Sequence, residues 1–248
     1  MFINKGNQIN PQFATKSQLF KLFESISNNC IKSLYISPKD LESKNDLISN
    51  LSEKQINLIN KIAYSETGLS VFETTDKTYF IIPPFPILNS SFNNHDKFKI
   101  SKDILNQKYI IGVILLRLGR YAICILKGEE ILNTKTKDRY VKNRHKAGGS
   151  SQRRFERSRE RLIRELYDKT CEITKDIFEP YENKIDYLLF GGEKHTINGL
   201  HKRCTYIEKF KKQTLKRLLS IQHEPNQKTL ENIHKEVWKS KLYEISNI

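Results

Sequence analysis

Long apolar runs are missing from this sequence. No stretch approaches the roughly 18 to 20 apolar residues that a membrane-spanning helix needs, and the opening MFINKGNQINPQF has no apolar segment of the signal-peptide kind. No membrane association through a spanning helix is expected, and the cytoplasm is the expected compartment. Cysteine is sparse: Cys30, Cys124, Cys171 and Cys204 stand alone, without a Cys-x-x-Cys pair or a close His/Cys cluster of the kind zinc sites show. Cys124 lies within an apolar strand pattern and reads as a buried thiol. The nearest thing to a metal set is His195, His201 and Cys204, which lacks a fourth ligand at a usual spacing, so no metal or other cofactor is expected. Internal repeats and low-complexity tracts are also absent.

What the chain has in excess is positive charge. Its 248 residues carry 43 Lys+Arg against 28 Asp+Glu, a formal net charge of +15. Such a balance points to a polyanionic partner, nucleic acid or an anionic membrane surface. The apolar content of 38% suffices to bury a core, in one large domain or two modest ones.

Along the first hundred residues, helical spacing from Ser17 to Ser27, a short strand at Cys30 to Ile36, a helix from Ser52 to Ser65 and a hairpin of Leu69 to Glu73 with Thr78 to Ile82 give a small α/β unit. Pro83-Pro84-Phe85-Pro86 cannot continue a strand ladder because three backbone donors are missing. The Ser/Asn-rich stretch from Asn89 to Lys99 reads as linker or peripheral strand. The expected division is 1–98, an N-terminal α/β docking domain, and 99–248, a second domain. In the latter, Tyr109 to Arg117 and Tyr121 to Leu126 form a tight hairpin buried on both faces. Ile131 to Arg139 adds an antiparallel strand whose Lys135, Lys137 and Arg139 share one face. A long helix ends at Glu179-Pro180, with Phe155, Leu162, Leu166, Ile173 and Ile177 on one stripe and Arg153, Arg157, Arg161 and Arg164 opposite. Then come a strand at Ile185 to Phe190, a strand-to-helix turn at Gly191-Gly192, a short helix, a strand at Leu215 to Ile221 and a closing helix from Gln227 to about Tyr243, with Trp238 in the core. This order suggests a mixed sheet with helices packed against it.

The stretch Arg144-His-Lys-Ala-Gly-Gly-Ser-Ser-Gln-Arg-Arg-Phe155 is where the charge concentrates. Between Lys135 and Arg164 there are twelve Lys/Arg against Asp138, Glu156 and Glu160, a net of 12 − 3 = +9. Catalytic sets of the usual kinds are poorly represented around it. Ser150 and Ser151 have only His145 as a local base and lack nucleophile-elbow spacing, and carboxylates are too few for paired metal ligands. Gln152 admits two roles. It is an N-cap or first-turn residue of the arginine helix, or an amide that orients a water and helps stabilise an oxyanion.

Gly148-Gly149-Ser-Ser-Gln152-Arg-Arg-Phe155, preceded by Arg139-Tyr-Val-Lys-Asn-Arg144-His-Lys and followed by the arginine helix, resembles the catalytic loop of the Vms1-like release factors. These are relatives of the central domain of eukaryotic and archaeal peptide-chain release factors, and the likeness extends over roughly Tyr109 to Tyr243. It implies a mixed-sheet α/β domain of the release-factor central type (RNase H-like) carrying the loop at 142–153. It also implies a peptidyl-tRNA hydrolase that frees nascent chains from stalled large ribosomal subunits without reading a codon. In that scheme Gln152 acts at the ester, and Gly148 and Gly149 let the backbone fit the peptidyl-transferase centre. Lys142, Arg144, Lys146, Arg153, Arg154 and Arg157 bind phosphates of tRNA and ribosomal RNA. The implied partners are the large subunit, ribosomal RNA and peptidyl-tRNA, met by a monomer. Gln152 stands three positions after Gly149, whereas in conventional release factors the glutamine follows the glycines directly. No Asn-Ile-Lys-Ser motif is present. Two alternatives stand beside this one: an endonuclease cutting the tRNA acceptor end, and a non-catalytic basic RNA- or ribosome-binding factor.

Overall fold

The structure, a computed structural model, describes residues 11–43, 51–62, 65–93, 95–141 and 150–247. Its elements are β1 (Gln12–Ala14), α1 (Lys16–Ile26), β2 (Cys30–Ile36), α2 (Pro38–Ser43), α3 (Glu53–Ile62), β3 (Leu69–Thr74), β4 (Lys77–Ile82), β5 (Ser91–Asn93) and α4 (Lys99–Asn106), followed by β6 (Ile110–Arg117), β7 (Arg120–Lys127), β8 (Glu130–Asp138), α5 (Ser150–Phe178), β9 (Tyr187–Gly192), α6 (Lys194–Arg203), β10 (Thr214–Leu219), α7 (Gln227–Glu231), α8 (Ile233–Val237) and β11 (Ser240–Ser246). Two compact units result, Met1–Gln107 joined by Trp238–Ile248, and Lys108–Val237. The α/β class expected from the sequence is what the structure shows, with one sheet in each unit.

The first unit is built on an antiparallel sheet in the order β1-β11-β4-β3-β2-β5. Strand alternation sorts its core into two layers. Leu34, Ile36, Val71 and Phe80 meet Leu41 of α2 and Leu58 and Ile59 of α3. On the other face Tyr35 and Phe72 join Phe23 of α1 and Phe98, with ring centroids 5.1 to 5.8 Å apart. A capping box between Thr15 and Gln18 starts α1. The proline cluster ends β4 as anticipated, and Phe85 within it turns inward to sit edge-on to Trp238 at 4.9 Å; both rings are buried.

The expected closing helix to Tyr243 is corrected by the structure. Helical structure stops at Val237 and the chain enters β11, pairing with β1 and β4. Up to Val237 the buried positions Leu230, Ile233 and Val237 keep helical spacing. Beyond it Tyr243 and Ile245 pack on the core two residues apart, the period of a strand. Ser37-Pro38, directly after β2, begins α2: the Ser37 hydroxyl accepts the Asp40 N–H at 3.2 Å and Pro38 takes the first helical position.

The second unit holds a mixed sheet, β10-β9-β6-β7-β8. β10, β9 and β6 run parallel, while β6, β7 and β8 are antiparallel. α5 lies on the face that presents Ile114, Leu116, Tyr121, Ile123 and Ile125, covering them with Leu166, Tyr167, Ile177 and Phe178. Gly112 makes this fit: a Cβ there would stand 2.7 Å from Cζ of Phe178. Cys124 is fully buried, as the strand pattern anticipated, and burial pushes its thiol up to about 12.

Candidate nucleic-acid interface

β8 is the edge strand next to the long helix. Its Lys137 and Lys135 stand across from Tyr121 and Ile123 of β7, so by strand alternation they lie on the face that carries α5. Both are exposed. At the end of the strand Arg139 donates to the Glu165 carboxylate at 3.2 Å, and Arg161 reaches the same carboxylate at 3.7 Å. Arg139 therefore meets α5 about four turns into the helix, not at its start.

The first part of α5 stands clear of the core. From Gln152 to Glu165 no side chain is buried; burial begins at Leu166. Ile163 already packs on the core cluster, so the overhang is the eleven positions from Gln152 to Leu162, about 16 Å at about 1.5 Å per residue. The buried stripe differs from the one expected. It runs through Leu166, Tyr167, Thr170, Thr174, Ile177 and Phe178, whereas Phe155 is 45% exposed and Leu162 and Ile173 are half-buried. Counting apolar residues missed the two threonines, which are fully buried because each hydroxyl donates to a carbonyl four residues back, Leu166 for Thr170 and Thr170 for Thr174, both at 2.7 Å.

Of the arginines in the first part of α5, Arg159 is half-buried and engaged, and the other five fall into two groups. Arg161 and Arg164 face Glu165 and Glu160 at 3.7 and 3.9 Å. Arg153, Arg154 and Arg157 are exposed and make no ion pair among the described residues. The first turn of α5 holds no acidic residue, and the helix dipole adds partial positive charge at that end. Gln152 lies in this turn, half-buried, its side-chain N–H donating to Glu156 Oε1 at 3.0 Å. Lys142, Arg144, His145, Lys146, Gly148 and Gly149 lie outside the described residues, as do the side chains of Ser150 and Ser151.

The anchored half of α5 is tied down by polar contacts. Arg203 at the end of α6 binds the Asp168 carboxylate through two nitrogens, one at 2.7 Å, and that hydrogen bonding holds Asp168 below the usual carboxylate range. The ring of Tyr167 packs over Gly199 of α6, and burial raises its hydroxyl pKa. Cys171 and Cys204 form a disulfide. Cys204 therefore has no thiolate to offer beside His195 and His201. Two isolated cysteines 33 residues apart gave no local sequence signal of the bond.

The second unit thus carries a long helix whose first turns are cationic and exposed. Comparison with known proteins then places it. The family model described as Actinobacteria/chloroflexi VLRF1 release factor matches residues 110–243, more than half of the chain, and the chain belongs to that family. Among curated relatives, peptide chain release factor subunit 1 of Archaeoglobus fulgidus is 33% identical over 121 residues, covering 48% of this chain and 30% of the relative. The protein of the same name from Methanosphaera stadtmanae is 31% identical over 124 residues, 49% and 30%. The chain thus spans about a third of the length of these relatives. Among solved structures, an archaeal translation termination factor, aRF1, aligns with TM-score 0.36 and 16% identity, covering 91% of this chain and 73% of that one. The Vms1 mitochondrial localization core aligns with TM-score 0.43 and 15% identity, 69% and 74%. At these scores neither likeness bears on the site.

Proposed function

We propose that this protein releases nascent chains from stalled large ribosomal subunits, without reading a codon, by hydrolysing the ester of peptidyl-tRNA. The observation that carries the proposal is the overhang of α5: about 16 Å of helix ahead of the first core contact at Ile163, with Arg153, Arg154 and Arg157 exposed and without ion pairs among the described residues. Membership of a release-factor family supports the same reading. A rod about 10 Å across can enter an RNA-walled cavity that would exclude the sheet behind it. There the free arginines, with Lys142, Arg144 and Lys146 ahead of them, would contact tRNA and ribosomal RNA phosphates.

In this scheme water adds across the ester, giving the peptide carboxylate and the tRNA 3′-hydroxyl. An amide has no useful pKa, so Gln152 would orient that water and, with backbone N–H groups, stabilise the developing oxyanion. To do so it must give up its bond to Glu156. Gly148 and Gly149 would let the backbone approach the ester closely. The protein would act as a cytoplasmic monomer, the ribosome supplying the rest of the site. The test is a reconstituted reaction with purified stalled large subunits carrying labelled peptidyl-tRNA. Wild type is expected to release the peptide, and Arg153→Ala/Arg154→Ala/Arg157→Ala to release it only at raised protein concentration. No release by wild type at saturation would leave a binding factor and overturn the proposal.

A further inference from the structure

Away from the arginine helix, the surface of α6 holds a cavity of about 440 Å³ lined by His195, Asn198, Gly199, His201 and Lys202. Its size falls in the range of about 300–1,000 Å³ typical of clefts that hold small organic groups. α6 reads KHTINGLHKR, without an acidic residue along its length, and the nearby Glu193 is engaged by the Thr196 hydroxyl at 2.6 Å. Positions 195, 198, 201 and 202 recur at helical spacing and share one face. Gly199 lets α6 close on the Tyr167 ring of α5, where a Cβ would stand 2.5 Å from Cζ.

The chemistry of this lining is selective. The His201 ring lies 4.5 Å from the Phe190 ring and lines the cavity; its burial disfavours the imidazolium, with the Glu208 carboxylate acting the other way. Asn198, exposed, carries both a donor and an acceptor. Lys202, also exposed, supplies a mobile cation at the rim. Flat faces, an amide and a cation with no competing carboxylate in the lining are what an unpaired nucleotide uses: a base to stack, edges to hydrogen-bond and a phosphate to neutralise. An acidic peptide would use the cation but neither the rings nor the amide.

We propose that this face of α6 is a second RNA-contact surface, taking an unpaired nucleotide of the RNA that the arginine helix engages. The proposal rests on the RNA-facing reading of α5 and extends it. α6 and α5 are joined by the Tyr167–Gly199 packing, the Asp168–Arg203 pair and the Cys171–Cys204 bond. A strand held on α6 would therefore fix the approach of the overhang.

The test is fluorescence anisotropy with the full chain, a labelled single-stranded RNA of about twelve nucleotides, the same RNA as duplex, and an acidic peptide of equal charge. Asn198→Ala/Lys202→Ala is expected to weaken single-strand binding about five- to tenfold while changing duplex and peptide binding by less than about twofold. Lys202→Glu, a single exposed change that cannot disturb the core, is expected to act in the same direction. RNA containing 4-thiouridine is expected to photo-crosslink to the peptide bearing His195 to Lys202. Equal losses for single strand and acidic peptide, or no loss with either variant, overturn the α6 assignment. Arg153→Ala/Arg157→Ala in the same titration separates the two readings. Loss there with the α6 variants unchanged refutes this inference alone, whereas no salt-dependent RNA binding by wild type refutes both.

Discussion

Replacing Arg153, Arg154 and Arg157 together by alanine should change the salt dependence of binding by an amount that can be worked out beforehand. Each cation that neutralises a phosphate contributes about 0.7 to 0.9 to the slope of log affinity against log salt, the lower figure for single strands. The three arginines have no ion-pair partner among the described residues, so none must abandon a carboxylate to bind. Their joint loss should flatten the slope by about 2 to 3. Over a fourfold rise in salt, three contacts account for about a 20- to 40-fold fall in affinity, which wild type should show and the variant should not. Arg161 and Arg164 supply the control, because they face Glu165 and Glu160 and removing them should change the slope less. The assay is equilibrium binding to purified large subunits at about 50 to 200 mM salt. Equal slopes for wild type and the triple variant, or a larger effect from Arg161→Ala/Arg164→Ala, would refute the assignment of the free arginines to phosphate.

Other consequences concern the frame that holds the helix. Gly112→Ala places a Cβ 2.7 Å from the fully buried Phe178 ring and should destabilise by about 1–3 kcal/mol, read as a lower urea midpoint; an unchanged midpoint would show that the close approach is not limiting. Opening Cys171–Cys204, which closes a loop of 33 residues, should cost about 3–4 kcal/mol by loop-closure entropy. Dithiothreitol should lower the urea midpoint of wild type and leave that of Cys171→Ser unmoved. His201 has its pKa depressed by burial below the ordinary 6.5, so below that pH the unfolded chain binds a proton before the folded chain does. Stability should therefore rise with pH through this window and fall as pH drops below about 6.5. His201→Asn should flatten that fall, and a midpoint that rises on acidification would contradict the sign.

The sheet of the second unit was legible because β6 and β7 are near-continuous apolar runs and α5 is long; such patterns leave little choice of period. The end of the chain was misread for a physical reason. Apolar residues from Leu230 to Val237 keep helical spacing, and only Tyr243 and Ile245 reveal the change of period, in a strand whose partners β1 and β4 lie far away in sequence. The α5 stripe was displaced because Thr170 and Thr174 are buried with self-satisfied hydroxyls, which apolar counting does not register. At the site, the basic density around Arg153 and Arg157 was legible as composition. The overhang was not: it depends on core packing that starts at Ile163 and on Arg139 meeting Glu165 rather than the helix start, tertiary contacts with no local signature. The disulfide belongs to the same category, made by residues that only the folded chain brings together.

The most direct test of the proposed ester hydrolysis is the state of the tRNA 3′ end after release from stalled large subunits, compared between wild type and Gln152→Ala. Ester hydrolysis through Gln152 predicts a full-length tRNA with an intact acceptor end, and loss of release in the variant with subunit binding retained. A shortened tRNA would contradict the account by establishing cleavage of the tRNA itself, and unimpaired release by Gln152→Ala would remove the side chain from the chemistry.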